Sequence, residues 1–173
     1  MKNPGSSHAG ELGGKTPADL ERYSFPKRIL VVDDDGVFRC LYREILAGSG
    51  YHVDVAADGA EGRAVLRADG YDLLITDNNM PKVSGTELIR ELRSSHIMLP
   101  IVMASGTPPS AEVEIHLAAV LVKHFTHEEL LTTVKKVTTP SSAKIWMASL
   151  PAGTSARKRS SVIPPKRWWG FPS

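Results

Sequence analysis

Cys40 is the only cysteine in this chain of 173 residues, so no internal disulfide is available and a reducing compartment, the cytoplasm, is expected. Long apolar runs are also missing. No uninterrupted stretch approaches the roughly 18–20 residues needed to cross a bilayer, and residues 1–26 lack the apolar centre of a secretory signal. Acidic residues stop at Glu129, whereas Lys135, Lys136, Lys144, Arg157, Lys158, Arg159, Lys166 and Arg167 all follow it. The formal net charge of +2 is therefore the sum of two unlike parts. What is present, 42% hydrophobic residues, suits one domain of about 100–150 residues with tails. Two enzymatic domains with a linker would not fit.

Residues 1–26 are rich in Gly, Ser, Pro and charge without apolar periodicity, and are expected to be a disordered leader. From Lys27 to Val137 short apolar runs alternate with helical patterns. Strands are expected at 29–32, 52–56, 73–76, 101–104 and 120–122, mostly apolar at successive positions as in strands covered on both faces. Helices are expected on the apolar stripes Val37, Leu41, Ile45 and Leu46, capped at Gly48 or Gly50; Ala60, Ala64, Val65 and Leu66; Leu88, Ile89 and Leu92; and Leu130, Leu131, Val134 and Val137. The fourth helix, at 113–117, has room for barely two turns. Five strand–helix repeats imply an α/β domain with a doubly wound parallel sheet and a ligand site at the carboxyl ends of the strands. Residues 138–173 are basic, lack periodicity and are expected to be a disordered tail. The sharper alternative is contact with an anionic surface such as nucleic acid or lipid headgroups.

Polar residues that end the strands converge on one rim of such a sheet. Asp33, Asp34 and Asp35 follow the first strand, Asp77 the third, Ser105 the fourth and Lys123 the fifth. Crowded carboxylates repel one another unless a cation sits between them. Oxygen donors without nearby His or Cys select a hard ion, and few protein ligands suit Mg²⁺. A carboxylate beside Mg²⁺, an ammonium and a hydroxyl form a receptor for a phosphoryl group. Any one of these residues alone reads as a turn former, a cap or a solvated charge; their joint placement carries the inference.

The stretches Lys-Arg-Ile-Leu-Val-Val-Asp-Asp-Asp (27–35), Asp-Leu-Leu-Ile-Thr-Asp-Asn-Asn-Met-Pro-Lys-Val-Ser-Gly-Thr-Glu-Leu (72–88), Pro-Ile-Val-Met-Ala-Ser-Gly (100–106) and Val-Leu-Val-Lys-His-Phe (120–125) resemble the receiver domain of two-component response regulators. The resemblance covers 27–137 and implies a five-stranded flavodoxin-like sheet of order 2-1-3-4-5. It further implies that Asp77 is the phosphoacceptor, that Asp33 and Asp34 are the acidic pair with Asp34 the preferred direct Mg²⁺ ligand, and that the Asn79 backbone carbonyl completes the metal ligands. Ser105 matches the switch hydroxyl and Lys123 the phosphate-binding lysine. The implied partner is a sensor histidine kinase or a histidine phosphotransfer protein. The protein would then be a self-phosphorylating acceptor and at most a slow autophosphatase, not an enzyme in the usual sense. The leading reading is a single-domain receiver without a folded DNA-binding domain.

Three departures from the family pattern bear on function. His124 replaces the proline that usually follows the lysine, so this peptide is expected to be trans and Lys123 to be aimed differently. Val120 stands where an aromatic residue often couples to the switch hydroxyl. The stretch from Ser105 to Lys123 is short, which falls on the face many receivers use to dimerise and leaves a homodimer open. A degenerate receiver that binds partners without phosphorylation is the rival reading, with tail-mediated nucleic-acid binding a third. A phosphatase nucleophile at Asp77 is disfavoured because that class usually has a second Asp two residues on, where Asn79 stands. The segment ending in Lys15 and Thr16 satisfies a permissive phosphate-loop pattern but no strand precedes it, so it reads as linker. Cys40 is expected to be buried or half-buried, and His52, His96, His116 and His127 to lie at the surface without metal-ligand spacing.

Overall fold

The computed structural model describes residues 27–68 and 70–139. The expected leader, nearly all of the expected tail and the Lys15-Thr16 segment lie outside them. Five strands, β1 (Arg28–Val32), β2 (His52–Ala56), β3 (Leu73–Thr76), β4 (Ile101–Ser105) and β5 (Ala119–Val122), alternate with α1 (Gly36–Gly48), α2 (Gly59–Ala68), α3 (Gly85–Ser94), α4 (Ala111–Glu114) and α5 (His127–Thr138). All strand pairs are parallel and the order is β2-β1-β3-β4-β5, as the resemblance implied.

Strand alternation divides the core into two layers. Leu30, Val32, Leu74 and Met103 face one side, with Leu66, Leu88, Ile89 and Val113 from α2, α3 and α4. Ile29, Val31, Leu73, Ile75 and Val102 face the other, with Tyr42, Leu46, Leu130 and Val134 from α1 and α5. The expected stripe on α3 is buried as read, and that on α5 is buried except for half-buried Leu131.

Helix α1 is rotated relative to its expected stripe. Val37 and Leu41 are exposed at 76% and 42%, and the chain instead buries Tyr42 and Leu46, with Phe38 and Ile45 half-buried beside them. These four recur at the helical spacing i, i+4, i+7 and i+8, so Val37 and Leu41 fall at the margin of a stripe set by the aromatic rings. Cys40 lies two positions, about 200°, from Tyr42 around the helix, which makes it exposed rather than buried. The helix closes at Gly50, whose φ of +87° suits glycine. Its amide donates to the Ala47 carbonyl at 3.0 Å.

Helix α4 is a single turn of four residues, shorter even than expected. The connection around it is held from outside by Arg93, in the last turn of α3, whose guanidinium donates to the carbonyls of Ile97 (2.8 Å), Leu99 (3.0 Å) and His116 (2.8 Å). Burial lowers the Arg93 pKa to about 10. The guanidinium remains charged at neutral pH while joining α3, the approach to β4 and the end of α4. Among the described residues no helix is long and apolar enough to cross a membrane.

Candidate functional site

Because parallel strands all point the same way, the residues that follow β1, β3 and β5 meet at one edge. Asp33 directly follows β1, and its backbone N–H donates to Ala56 O at 3.2 Å, continuing the pairing with β2. Asp77 directly follows β3 and is tied to β1 by its N–H to Val32 O at 2.9 Å. The two carboxylates are thus carried by adjacent strands. Asp33 is 1% exposed and Asp77 5% exposed, whereas Asp34 is open to solvent. One carboxylate oxygen from each of Asp33, Asp34 and Asp77 lies within 4.8 Å of the others.

Lys123 enters from the far side of the rim. Its backbone N–H donates to Ser105 O at 2.9 Å, extending the β4–β5 ladder. Its Nζ donates to Asp77 Oδ2 at 2.7 Å and stands 3.2 Å from Asp33 Oδ2. The following residue, His124, has φ +88°, and no described peptide is cis. The expectation that the loop is trans agrees with this geometry. Beside this left-handed turn the Lys123 ammonium is directed inward, to Asp77 and Asp33. The Phe38 ring lies beneath the ammonium, its centroid 4.5 Å from Nζ, an attraction of the ring quadrupole for the cation.

The electrostatics follow from these distances. Burial raises the Asp33 pKa; the Asp35 N–H, which donates to Asp33 Oδ1 at 2.9 Å, and the Lys123 charge oppose that rise without cancelling it. For Lys123 burial works against the charge, but the hydrogen bond to Asp77 and the charge of Asp33 outweigh it and raise its pKa. One oxygen, Asp33 Oδ2, is buried with the ammonium nearby but without an aligned hydrogen bond. A cluster made only of oxygen donors, with an incompletely satisfied buried carboxylate, fits a small hard cation such as Mg²⁺.

Loop geometry fixes the rest of the rim. The Asn78 N–H donates to Asp77 Oδ1 at 2.6 Å, and Asn78 Oδ1 accepts from the Thr86 hydroxyl at 2.7 Å, linking Asp77 to the first turn of α3. Asn79, exposed, comes next, followed by buried Met80. Gly85 explains why the segment closes as it does: a Cβ there would collide with the Asp77 carbonyl oxygen. Ser105 ends β4, 1% exposed, and its Oγ accepts a long bond of 3.5 Å from the Thr107 N–H. It stands on the same rim but makes no hydrogen bond to Asp77. Asp35 acts as the N-cap of α1, accepting from Val37 N at 2.7 Å.

Three participants were not singled out from the sequence. Arg39 Nη1 donates to the Asp33 carbonyl at 2.6 Å, Phe38 underlies Lys123, and Tyr42 lies deeper, 1% exposed. Burial and then the charges of Asp33 and Asp77 raise the Tyr42 pKa. The available signal was spacing: Phe38 and Tyr42 are one turn apart on the helix that Asp35 begins.

Comparison with known proteins agrees with this geometry. The family model described as response regulator receiver domain matches residues 29–135. Response regulator MprA of Mycolicibacterium vanbaalenii is 38% identical over 122 residues, covering 66% of this chain and 53% of the relative. MprA of Mycobacterium bovis is 38% identical over 128 residues, covering 70% and 56%. The chain thus spans about half the length of the curated relatives it matches. Among solved structures, the response regulator protein TrrA from Thermotoga maritima, in complex with Mg²⁺ and BeF, aligns with TM-score 0.61 and 35% identity over 64% of this chain and 98% of that one. The chemotaxis protein CheY4 of Vibrio cholerae aligns with TM-score 0.59 and 33% identity over 65% and 98%. With the matching sheet order and the carboxylates and lysine gathered at its carboxyl edge, the chain belongs to the response regulator receiver domain family.

Proposed function

We propose that Asp77 accepts a phosphoryl group from the phosphohistidine of a sensor histidine kinase or a histidine phosphotransfer protein in two-component signalling. The observation that carries this reading is the pairing of a buried-edge carboxylate, Asp77, with the Lys123 ammonium at 2.7 Å beside two further carboxylates. A carboxylate oxygen of Asp77 attacks phosphorus, the P–N bond to the donor imidazole breaks, and that nitrogen keeps the bonding pair and takes up a proton. Lys123 offsets the charge of the arriving group, and Ser105, whose present bond is long, is free to turn its hydroxyl toward it. Asp33, Asp34, Asp77 and the Asn79 carbonyl would hold Mg²⁺. When bound, the ion neutralises charge on the phosphoryl oxygens.

The rim then has two arrangements. In one, Lys123 bridges Asp77 and Asp33; in the other, Lys123 and Ser105 engage the new phosphoryl oxygens, displacing the loops after β4 and β5. Such a protein works as a covalently switched relay in the cytoplasm rather than as a turnover enzyme. The test is incubation with a small acyl phosphate and Mg²⁺ followed by intact mass measurement. The expected result is one added phosphoryl group in the wild-type chain and none in Asp77→Asn. An unchanged wild-type mass, or an adduct that survives Asp77→Asn, overturns the reading.

A further inference from the structure

The outer edge of the sheet is incompletely covered on one face. Along β5, Leu121 points toward α5 and is buried, while Val120 and Val122 share the opposite face. Val120 reaches the core cluster containing Val113 and Leu117. Val122, one step further, is beyond the reach of the one-turn α4 and is 61% exposed, and Ile115 at the end of α4 is 56% exposed. Beside this edge lies an open groove of about 890 Å³, lined by Val120, Val122 and His124 on one side and Glu128, Thr132 and Thr133 of α5 on the other. Lys123 also borders it, but its ammonium is turned inward to Asp77. Glu128 is therefore the charge free to meet an occupant, since Glu129 is held in the capping box of α5 by the Thr126 N–H.

The chain itself supplies a complementary occupant. Thr139 is extended, with φ −69° and ψ 137°, and Pro140 follows, so the backbone leaves the axis of α5 at once. From Thr139 back to Thr132 is about 10 Å along the helix, and to Glu128 about 16 Å, at about 1.5 Å per residue. Six extended residues span up to about 20 Å. The first apolar triplet after the helix, Ile145-Trp146-Met147, is thus within reach of the groove, with Lys144 immediately before it. No acidic residue follows Glu129, so the charge of this segment is complementary to Glu128.

We propose that residues 144–147 fold back into the groove along the outer edge of β5 beside α5, with Trp146 covering Val120 and Val122 and Lys144 set against Glu128. The segment would occupy the open edge of β5, so any protein partner for that edge must displace it. This does not rest on the phosphoacceptor reading.

All three tryptophans of the chain, Trp146, Trp168 and Trp169, lie outside the described residues. In the full chain carrying Trp168→Phe and Trp169→Phe, Trp146 is the sole tryptophan reporter. Its emission is expected to be blue-shifted from that of the same chain in guanidinium, and less quenched by acrylamide. Val122→Glu and, separately, Thr132→Arg, both at exposed positions and checked for folding by circular dichroism, should return emission and quenching to the solvent-exposed values. Emission already at the exposed value overturns the proposal. So does a blue shift that both groove variants leave intact, or one lost on dilution, which would place the segment on a second copy.

Discussion

The Tyr42 ring is 1% exposed, yet its hydroxyl has no hydrogen-bond partner among the described residues. The ring is held by Phe125, 5.6 Å away between centroids, and by Phe38 at 6.4 Å. An unsatisfied buried hydroxyl costs free energy that its ring does not, so Tyr42→Phe should raise the unfolding free energy by about 1 kcal/mol, read from the urea midpoint at unchanged slope. A loss of stability would show that the hydroxyl is satisfied in solution. Asp77, Lys123 and Asp33 were all legible in the sequence, because a polar residue directly after an apolar strand must lie at the strand's carboxyl end. Phe38 and Tyr42 were not. Their apolar rings fit any core, and only the position of Lys123 above Phe38 gives one of them a role at the site.

At the scale of elements, α4 and α1 departed furthest from expectation. Helix α4 keeps one turn because Arg93 ties its end to α3 through the His116 carbonyl and holds the approach to β4 through Ile97 and Leu99. Arg93→Met retains much of the side-chain bulk but leaves three carbonyls without these donors, so it should cost about 2–4 kcal/mol of stability in urea unfolding. Thermal melting should fall in parallel, and an unchanged midpoint would show that water replaces the guanidinium at no cost. Nothing in the local sequence distinguishes Arg93 from a solvated basic residue in the last turn of a helix. For α1 the apolar stripe was legible, but its phase was not: two overlapping sets of apolar residues satisfy the same period, and the ring contacts Phe38–Tyr42–Phe125 select one.

For the molecule as a whole, the acidic edge links ion binding to folding. Asp33 and Asp34 follow β1 and Asp77 follows β3, so the three share a site only when β1 and β3 are paired. A divalent ion that binds them binds the native state alone, and at one hundred times its Kd it should add about 2.7 kcal/mol of stability. The melting temperature is expected to rise with MgCl₂ in the wild type and to stay flat in Asp34→Asn, a change at an exposed position. A flat wild-type response would remove the proposed ion site. The sequence by itself determined the number and type of the strands, the parallel sheet and the residue types on its functional edge, because strand periodicity and strand-end position are local properties; the sheet order followed only from the resemblance to receiver domains. Tertiary structure alone decided the rotation of α1, the Arg93 clamp, the inward aim of Lys123 and the exposure of Val122. Each of these depends on which distant surface covers a residue, and local pattern carries no record of that.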